Sequence, residues 1–239
     1  MSTKHDLNSL MLDQPKTVLI FEAHSDDMVI GMGGTAKLMA SKGIKIMTCT
    51  ITRGETAHAP GEEDNIIETR KNEGTEADRI LGVKEHFFLD HGCQDLVNDR
   101  ATFQEFVGII RREKPDWIFT HGPHEWHRDH RAASQLVDEA WWKASEVNVL
   151  VELGKPHKTR AVLFYEVLPQ FEGSPDACID VTNFWDAKLE ALECFQSQST
   201  TMGGFNGLVE GNGLYRGYLI GCKYAEAFIY SRFMPRDRF

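Results

Sequence analysis

The chain has 239 residues, 41% of them hydrophobic and 26% charged, with a formal net charge of −10. This composition excludes a disordered or low-complexity protein, and the length suffices to bury a core without disulfide staples. The acidic balance argues against non-specific binding to nucleic acid or to an anionic membrane, which both want a basic face.

Residues 1–14 read as a polar lead-in or a frayed helix. The apolar run at 16–23 reads as a buried strand, and 28–42 as a helix stopped by Gly43. A second strand covers 44–52, a polar loop 53–64, and a charged helix 65–81 ends at Gly82. A third strand at 85–89 and a loop at 90–98 precede a helix at 100–113. That helix places Phe103, Phe106, Val107 and Ile110 on one face. A short fourth strand at 117–120 runs into a histidine-rich loop, 121–130, followed by a helix to 145. Beyond it, 161–167 and 177–181 read as strands, 183–194 as a helix, 199–213 as a loop and 223–230 as a terminal helix.

Strand–helix alternation over residues 1–145 predicts a Rossmann-like α/β fold, with a mostly parallel sheet covered by helices on both faces. Residues 146–239 read as a less regular C-terminal part that completes the site, within one domain spanning 1–239. The five cysteines are scattered and form no CxxC pair, which reads as reduced thiols. The first residues lack the apolar core of a signal peptide, and no apolar run approaches the ~18 residues of a membrane span. The expected setting is cytoplasmic.

Two clusters carry chemistry. His24, Asp26 and Asp27 follow the first strand; His121, His124, His127 and His130 follow the fourth, with Glu125 and Asp129 between them. Ligands of parallel α/β sheets bind outside the carboxyl ends of the strands, so both clusters share one rim. Alone, the first cluster is equally an acidic helix N-terminus. With the second, it offers what hydrolysis at a mononuclear zinc site takes: three His/Asp/Glu ligands, a carboxylate base outside the ligand set, and a donor for the oxyanion. His24, Asp27 and His130 can serve as ligands, Asp26 as base and His127 as acid or oxyanion donor. Asp129 can orient a histidine from behind.

These residues resemble the PIG-L/LmbE-like zinc-dependent N-acetyl-sugar deacetylases. The family's Ala-His-Pro-Asp-Asp stands here as Ala23-His24-Ser25-Asp26-Asp27, followed by Gly31-Met32-Gly33-Gly34. Its His-Pro-Asp-His-Arg-Ala stands as His127-Arg128-Asp129-His130-Arg131-Ala132, roughly 100 residues later. Weaker matches include Thr52-Arg53-Gly54-Glu55, Arg70, Ser197-Gln198 and Tyr224-Ala225-Glu226. The resemblance implies that His24, Asp27 and His130 bind Zn2+, though Fe2+, Co2+ or Ni2+ suit the same donors. It implies Asp26 as general base, His127 as oxyanion stabiliser and Arg70 as a sugar contact. The implied activity is hydrolysis of the acetamide of an N-acetylglucosamine-type sugar or glycoconjugate. A homo-oligomer is a further implication.

Departures fall elsewhere: Ser25 and Arg128 replace prolines, Met28 an acid, Cys93 a substrate-contacting Asp and Phe195 a His. Arg53 and Cys93 are therefore candidate substrate contacts. Two alternatives remain: a carbohydrate-binding protein that keeps the metal pocket without catalysis, and a nucleotide-binding enzyme of similar fold. The glycines at 31, 33 and 34 lack the G-x-G-x-x-G spacing, which favours close helix–sheet packing over phosphate binding.

Overall fold

The computed structural model describes residues 14–58, 63–168, 171–199 and 206–232. Among these, the strands are β1 (Thr17–Glu22), β2 (Lys45–Thr52), β3 (Glu85–His91), β4 (Trp117–His121), β5 (Ala161–Tyr165), β6 (Ala177–Asp180) and β7 (Ala225–Tyr230). The α-helices are α1 (Asp27–Ser41), α2 (Ile66–Leu81), α3 (Arg100–Glu113), α4 (Arg128–Ala144), α5 (Trp185–Leu192), α6 (Gln196–Ser199) and α7 (Asn206–Ile220). No helix among the described residues is long and apolar enough to cross a membrane.

The strands form one sheet in the order β3-β2-β1-β4-β5-β7-β6. Strands β1 to β5 pair in parallel, and β7 runs antiparallel between β5 and β6. The α/β architecture with helices on both faces is thus as expected. β1 is an unbroken apolar run because both of its faces are covered. Val18 and Ile20 join a core with Met32 and Met39 of α1, Leu81 of α2 and Trp185 of α5. Leu19 and Phe21 join a second core with Phe106 and Ile110 of α3 and Leu136 and Val137 of α4. The chain leaves β1 toward β2 on one side and reaches β4 on the other, so a crevice opens beyond their carboxyl ends.

Several expected elements differ. The stretch expected as a loop at 199–213 is helical from Asn206, and the expected terminal helix at 223–230 is strand β7. The histidine loop ends early: α4 starts at Arg128, which puts His130 in its first turn. The helix expected from 183 starts at Trp185, after a 3-10 turn at Thr182–Phe184. The lead-in at 1–13 lies outside the described residues.

α1 is interrupted at Met32, whose φ/ψ of −148/21 is not helical. The Ile30 carbonyl and the Gly34 amide, which a regular helix would join, are each given a side-chain partner. Lys188 Nζ donates to Ile30 O at 2.8 Å, and Gly34 N donates to Glu226 Oε1 at 3.0 Å. Thr35 N donates to Glu226 Oε2 at 2.7 Å, and the buried Lys188–Glu226 pair closes at 2.6 Å. A Cβ at Gly31 would stand 2.6 Å from the Glu166 carbonyl, and one at Gly34 would stand 2.7 Å from Val181 Cβ. Close packing, as read from sequence, accounts for these glycines.

Arg111 of α3 is buried and serves the segment after α4. Its guanidinium donates to the carbonyls of Lys143, Ala144, Glu146, Val149, Leu150 and Gly154. Arg111→Met leaves these acceptors short of donors, and each buried unmade bond is costly. We expect a loss on the order of 3 kcal/mol in urea unfolding, with proteolytic sensitivity first appearing at 145–154.

Candidate active site

Each histidine cluster sits where a strand of the crevice hands over to a helix. β1 ends at Glu22, and α1 begins at Asp27. β4 ends at His121, and His127 caps α4 by accepting the Asp129 amide at Nδ1, 3.2 Å away. Glu22 lies beneath the first junction: its Oε2 accepts the Met28 amide at 3.0 Å and its Oε1 the Thr50 hydroxyl at 2.5 Å. Burial, with Asp78 and Asp27 close by, pushes Glu22 well above the usual carboxyl range.

His24, Asp27 and His130 converge. His24 Nδ1 is 3.3 Å from Asp27 Oδ2, His130 Nε2 is 3.2 Å from Asp27 Oδ1, and the two ring nitrogens are 3.2 Å apart. Ligands about 2.0–2.1 Å from a tetrahedral metal stand about 3.3 Å from one another, so this donor set fits such an ion. Burial opposes charge on Asp27, yet the His130, His121 and His24 rings hold its carboxyl well below the ordinary range. Burial likewise opposes charge on His24, and the Asp27 carboxylate outweighs it to hold this ring well above the usual imidazole range.

The outer nitrogen of each ring meets a buried carboxylate. His24 Nε2 is 3.4 Å from Asp129 Oδ2, and His130 Nδ1 is 3.4 Å from Glu125 Oε2. Such carboxylates fix ring orientation and tautomer at metal sites. Glu125 stands among the clustered histidines in the sequence without an expected role; its signal is position, five residues before His130. Its carboxylate also accepts the Val167 amide at 2.9 Å, which ties the site to the segment after β5. His121 is fully buried, stacks on His130 at 4.1 Å and accepts the Ala23 amide at 2.9 Å. His124 is exposed and turned to a different cavity.

A cavity of about 260 Å³ opens over these groups. Asp26, Arg70, Cys93, Gln94, His127, Val167, Leu168 and Gln198 are among its walls. Arg70 is buried and donates to Asp26 Oδ1 at 3.2 Å. It passes so near Gly54 that a Cβ there would stand 2.6 Å from its Nε; Gly54 also has φ +68. Gln94 holds a left-handed backbone at φ 69, with its amide 2.7 Å from Asp129 Oδ2 and its side chain 2.8 Å from His127 Nε2. Such strain collects at functional sites. Burial and the charges of His24 and His130 push His127 down to about 4.

Arg53 does not line the cavity; it pairs with Glu55 at 3.2 Å and Asp90 at 3.3 Å. Glu55 in turn accepts the Cys93 amide at 3.0 Å, so Arg53 reaches the site only through that chain of contacts. Phe195 is buried in the core and does not line the cavity. Gln94, Leu168 and Gln198 were missed as wall residues, because nothing local in the sequence brings 94, 168 and 198 together.

A profile of the PIG-L family, described as GlcNAc-PI de-N-acetylase, matches residues 19–141. A diacetylchitobiose deacetylase of Thermococcus kodakarensis is 32% identical, over 92% of this chain and 84% of its own. The N,N'-diacetylchitobiose deacetylase of Pyrococcus horikoshii, solved with an inhibitor, superposes with a TM-score of 0.84 at 25% identity, covering 94% of this chain and 88% of that one. The 4-carboxy-2-hydroxymuconate hydratase of Pseudomonas putida superposes with a TM-score of 0.80 at 26% identity, covering 94% and 98%. Matched over more than half its length by the family profile, and over nearly all of it by relatives, the chain belongs to the PIG-L family.

Proposed function

We propose that this chain is a divalent-metal-dependent deacetylase, which hydrolyses the acetamide of an N-acetylglucosamine-type sugar to acetate and a free amine. The observation that carries this is Asp26. It is a buried carboxylate on the cavity wall, next to the His24–Asp27–His130 set yet bound to Arg70 and not to that set. Bound there, zinc or a similar ion would supply Lewis acidity to the acetamide carbonyl and make water a better nucleophile at neutral pH.

The remaining steps belong to the protein. Arg70 occupies one oxygen of Asp26, which leaves the other to take a proton from water as its oxygen bonds to the carbonyl carbon. His127 accepts the Asp129 amide at Nδ1, so its neutral ring carries the proton on Nε2, and the Gln94 side-chain amide 2.8 Å away must turn its oxygen to that N–H. That N–H donates to the developing oxyanion. Asp26 then returns its proton to the sugar nitrogen as the C–N bond breaks. This makes His127 an oxyanion donor and leaves the acid role to Asp26. The five free thiols support a reducing, cytoplasmic setting.

Glu125 is read as the group that orients His130. Glu125→Gln is expected to weaken zinc binding by about 10–100-fold. Competition with a chromophoric chelator measures this, and an unchanged affinity would remove Glu125 from the site.

The hydratase relative raises a second chemistry, water addition to an unsaturated tricarboxylate. Arg70 is the lone Lys or Arg among the described cavity walls, and it is already paired with Asp26. That charge balance suits a neutral acetamido sugar better than a trianion. The test is acetate release across N-acetyl sugars, diacetylchitobiose first, with and without zinc, beside an unsaturated tricarboxylate. Acetate from at least one sugar, dependent on metal, is expected; hydration of the tricarboxylate without acetate from any sugar would overturn the proposal.

A further inference from the structure

His24 has two ring nitrogens, and the reaction uses one. Nδ1 faces Asp27 and His130. Nε2 faces the opposite way, 3.4 Å from Asp129 Oδ2 and 3.6 Å from Cys93 Sγ. These three donor atoms lie within 4.8 Å of one another. We propose that Cys93, His24 and Asp129 form a second cation site, selective for thiophilic divalent ions, which competes with the first site for the His24 ring.

The spacing fits. A tetrahedral ion with a metal–sulfur bond of about 2.3 Å and metal–nitrogen and metal–oxygen bonds of about 2.0–2.1 Å sets S···N at about 3.6 Å and N···O at about 3.3 Å. The observed separations are 3.6 and 3.4 Å. A second observation favours a cation at this carboxylate: Asp129 is fully buried, and while Oδ2, the oxygen facing His24, accepts the Gln94 amide at 2.7 Å, Oδ1 has no hydrogen-bond partner. Such an oxygen is costly to leave unsatisfied. The Thr56 hydroxyl donates to Cys93 Sγ at 3.1 Å and holds the sulfur in place. Cys93 is a cavity wall, so ions have a route from solvent.

The donor set decides which ions bind. Thiolate beside imidazole selects Zn2+ and Cd2+ over Mg2+ or Ca2+. On binding, the Cys93 S–H bond breaks, the sulfur–metal bond forms and the proton leaves to solvent. A neutral imidazole has one free lone pair. An ion at Nε2 therefore puts the ring proton on Nδ1, where it can donate to Asp27 Oδ2, and takes His24 away from the first ion. Excess thiophilic metal then inhibits by removing a ligand, not by blocking the cavity. This competition rests on the reading of His24, Asp27 and His130 as the first ion's ligands; the site itself does not.

The test is a Cd2+ titration of the metal-free chain, followed by the ultraviolet thiolate-to-cadmium band. A band is expected in the wild type. Cys93→Ser and, independently, Asp129→Asn should weaken the Cd2+ binding it reports by at least about tenfold, since even an outer contact to a metal is worth that much. Preloading with Mn2+, which a thiolate does not favour, at a concentration that fills the first site should raise the Cd2+ midpoint in the wild type and not in His130→Ala. Titrations that coincide for wild type and both weakened variants would overturn the site. A midpoint in the wild type that ignores Mn2+, with the Cys93-dependent band intact, would overturn the shared ring.

Discussion

Asp26→Asn is expected to bind a full equivalent of zinc and to lower kcat by about 100- to 10,000-fold, the range that a positioned general base contributes. The substitution keeps the side-chain volume and an acceptor for Arg70 while removing the proton-accepting charge. The bonds that hold the ligand set together, His24–Asp27 and His130–Asp27, do not pass through Asp26. Metal content by mass spectrometry and turnover at saturating substrate separate the two effects. Turnover within a few-fold of wild type, at full metal loading, would remove Asp26 from proton transfer. A loss of metal equal to the loss of rate would make it a ligand instead.

Lys188→Met is expected to cost about 3–5 kcal/mol, the usual consequence of leaving one partner of a buried ion pair uncompensated. Lys188 and Glu226 are each at most 4% exposed, and water cannot replace the lost charge cheaply. For a chain of this size that corresponds to a melting midpoint lowered by roughly 10 °C. The double variant Lys188→Met/Glu226→Gln should recover part of the loss, because the pair is coupled. Calorimetry of the three variants tests this. Equal melting of Lys188→Met and wild type would mean that the pair contributes nothing to the fold.

Most of the first 145 residues could be read locally. β1 is an apolar run that ends two residues before His24, β4 is one that ends on His121, and α2 and α3 carry clean caps at Gly82 and Asp99. The misread elements are those whose residues answer to distant partners. Ala225–Tyr230 contains Ala and Glu, good helix formers, and became a strand because Glu226 is consumed by Lys188 and the α1 amides. Asn206–Ile220 carries four glycines, which argue for a loop. Two of them are contact surfaces: a side chain at Gly213 would strike the Trp185 ring, and one at Gly217 the Lys223 backbone. The site shows the same division. His24, Asp26, Asp27, His127, Asp129 and His130 sit in two compact motifs and are legible. Arg53 could not be told from a cavity residue, since its loop does flank the site. Glu125 and Gln94 act through contacts made only after folding.

The interruption of α1 at Met32 also bears on how such a site can vary over time. The candidate site and the residues that shape the helix belong to different inheritances. Part of the site lies within two short motifs, and the rest of the cavity wall, Cys93 among it, lies outside them. The helix-shaping residues join segments at 30–35, 165–166, 181, 188 and 226, separated by long stretches of chain. Exchange of Lys188 or Glu226 orphans a carbonyl, an amide or a charge, and a side chain at Gly31 or Gly34 would strike Glu166 O or Val181. Across a set of related sequences, positions 188 and 226 should therefore change together or not at all, while wall positions outside the two motifs, such as 93 and 168, change more freely.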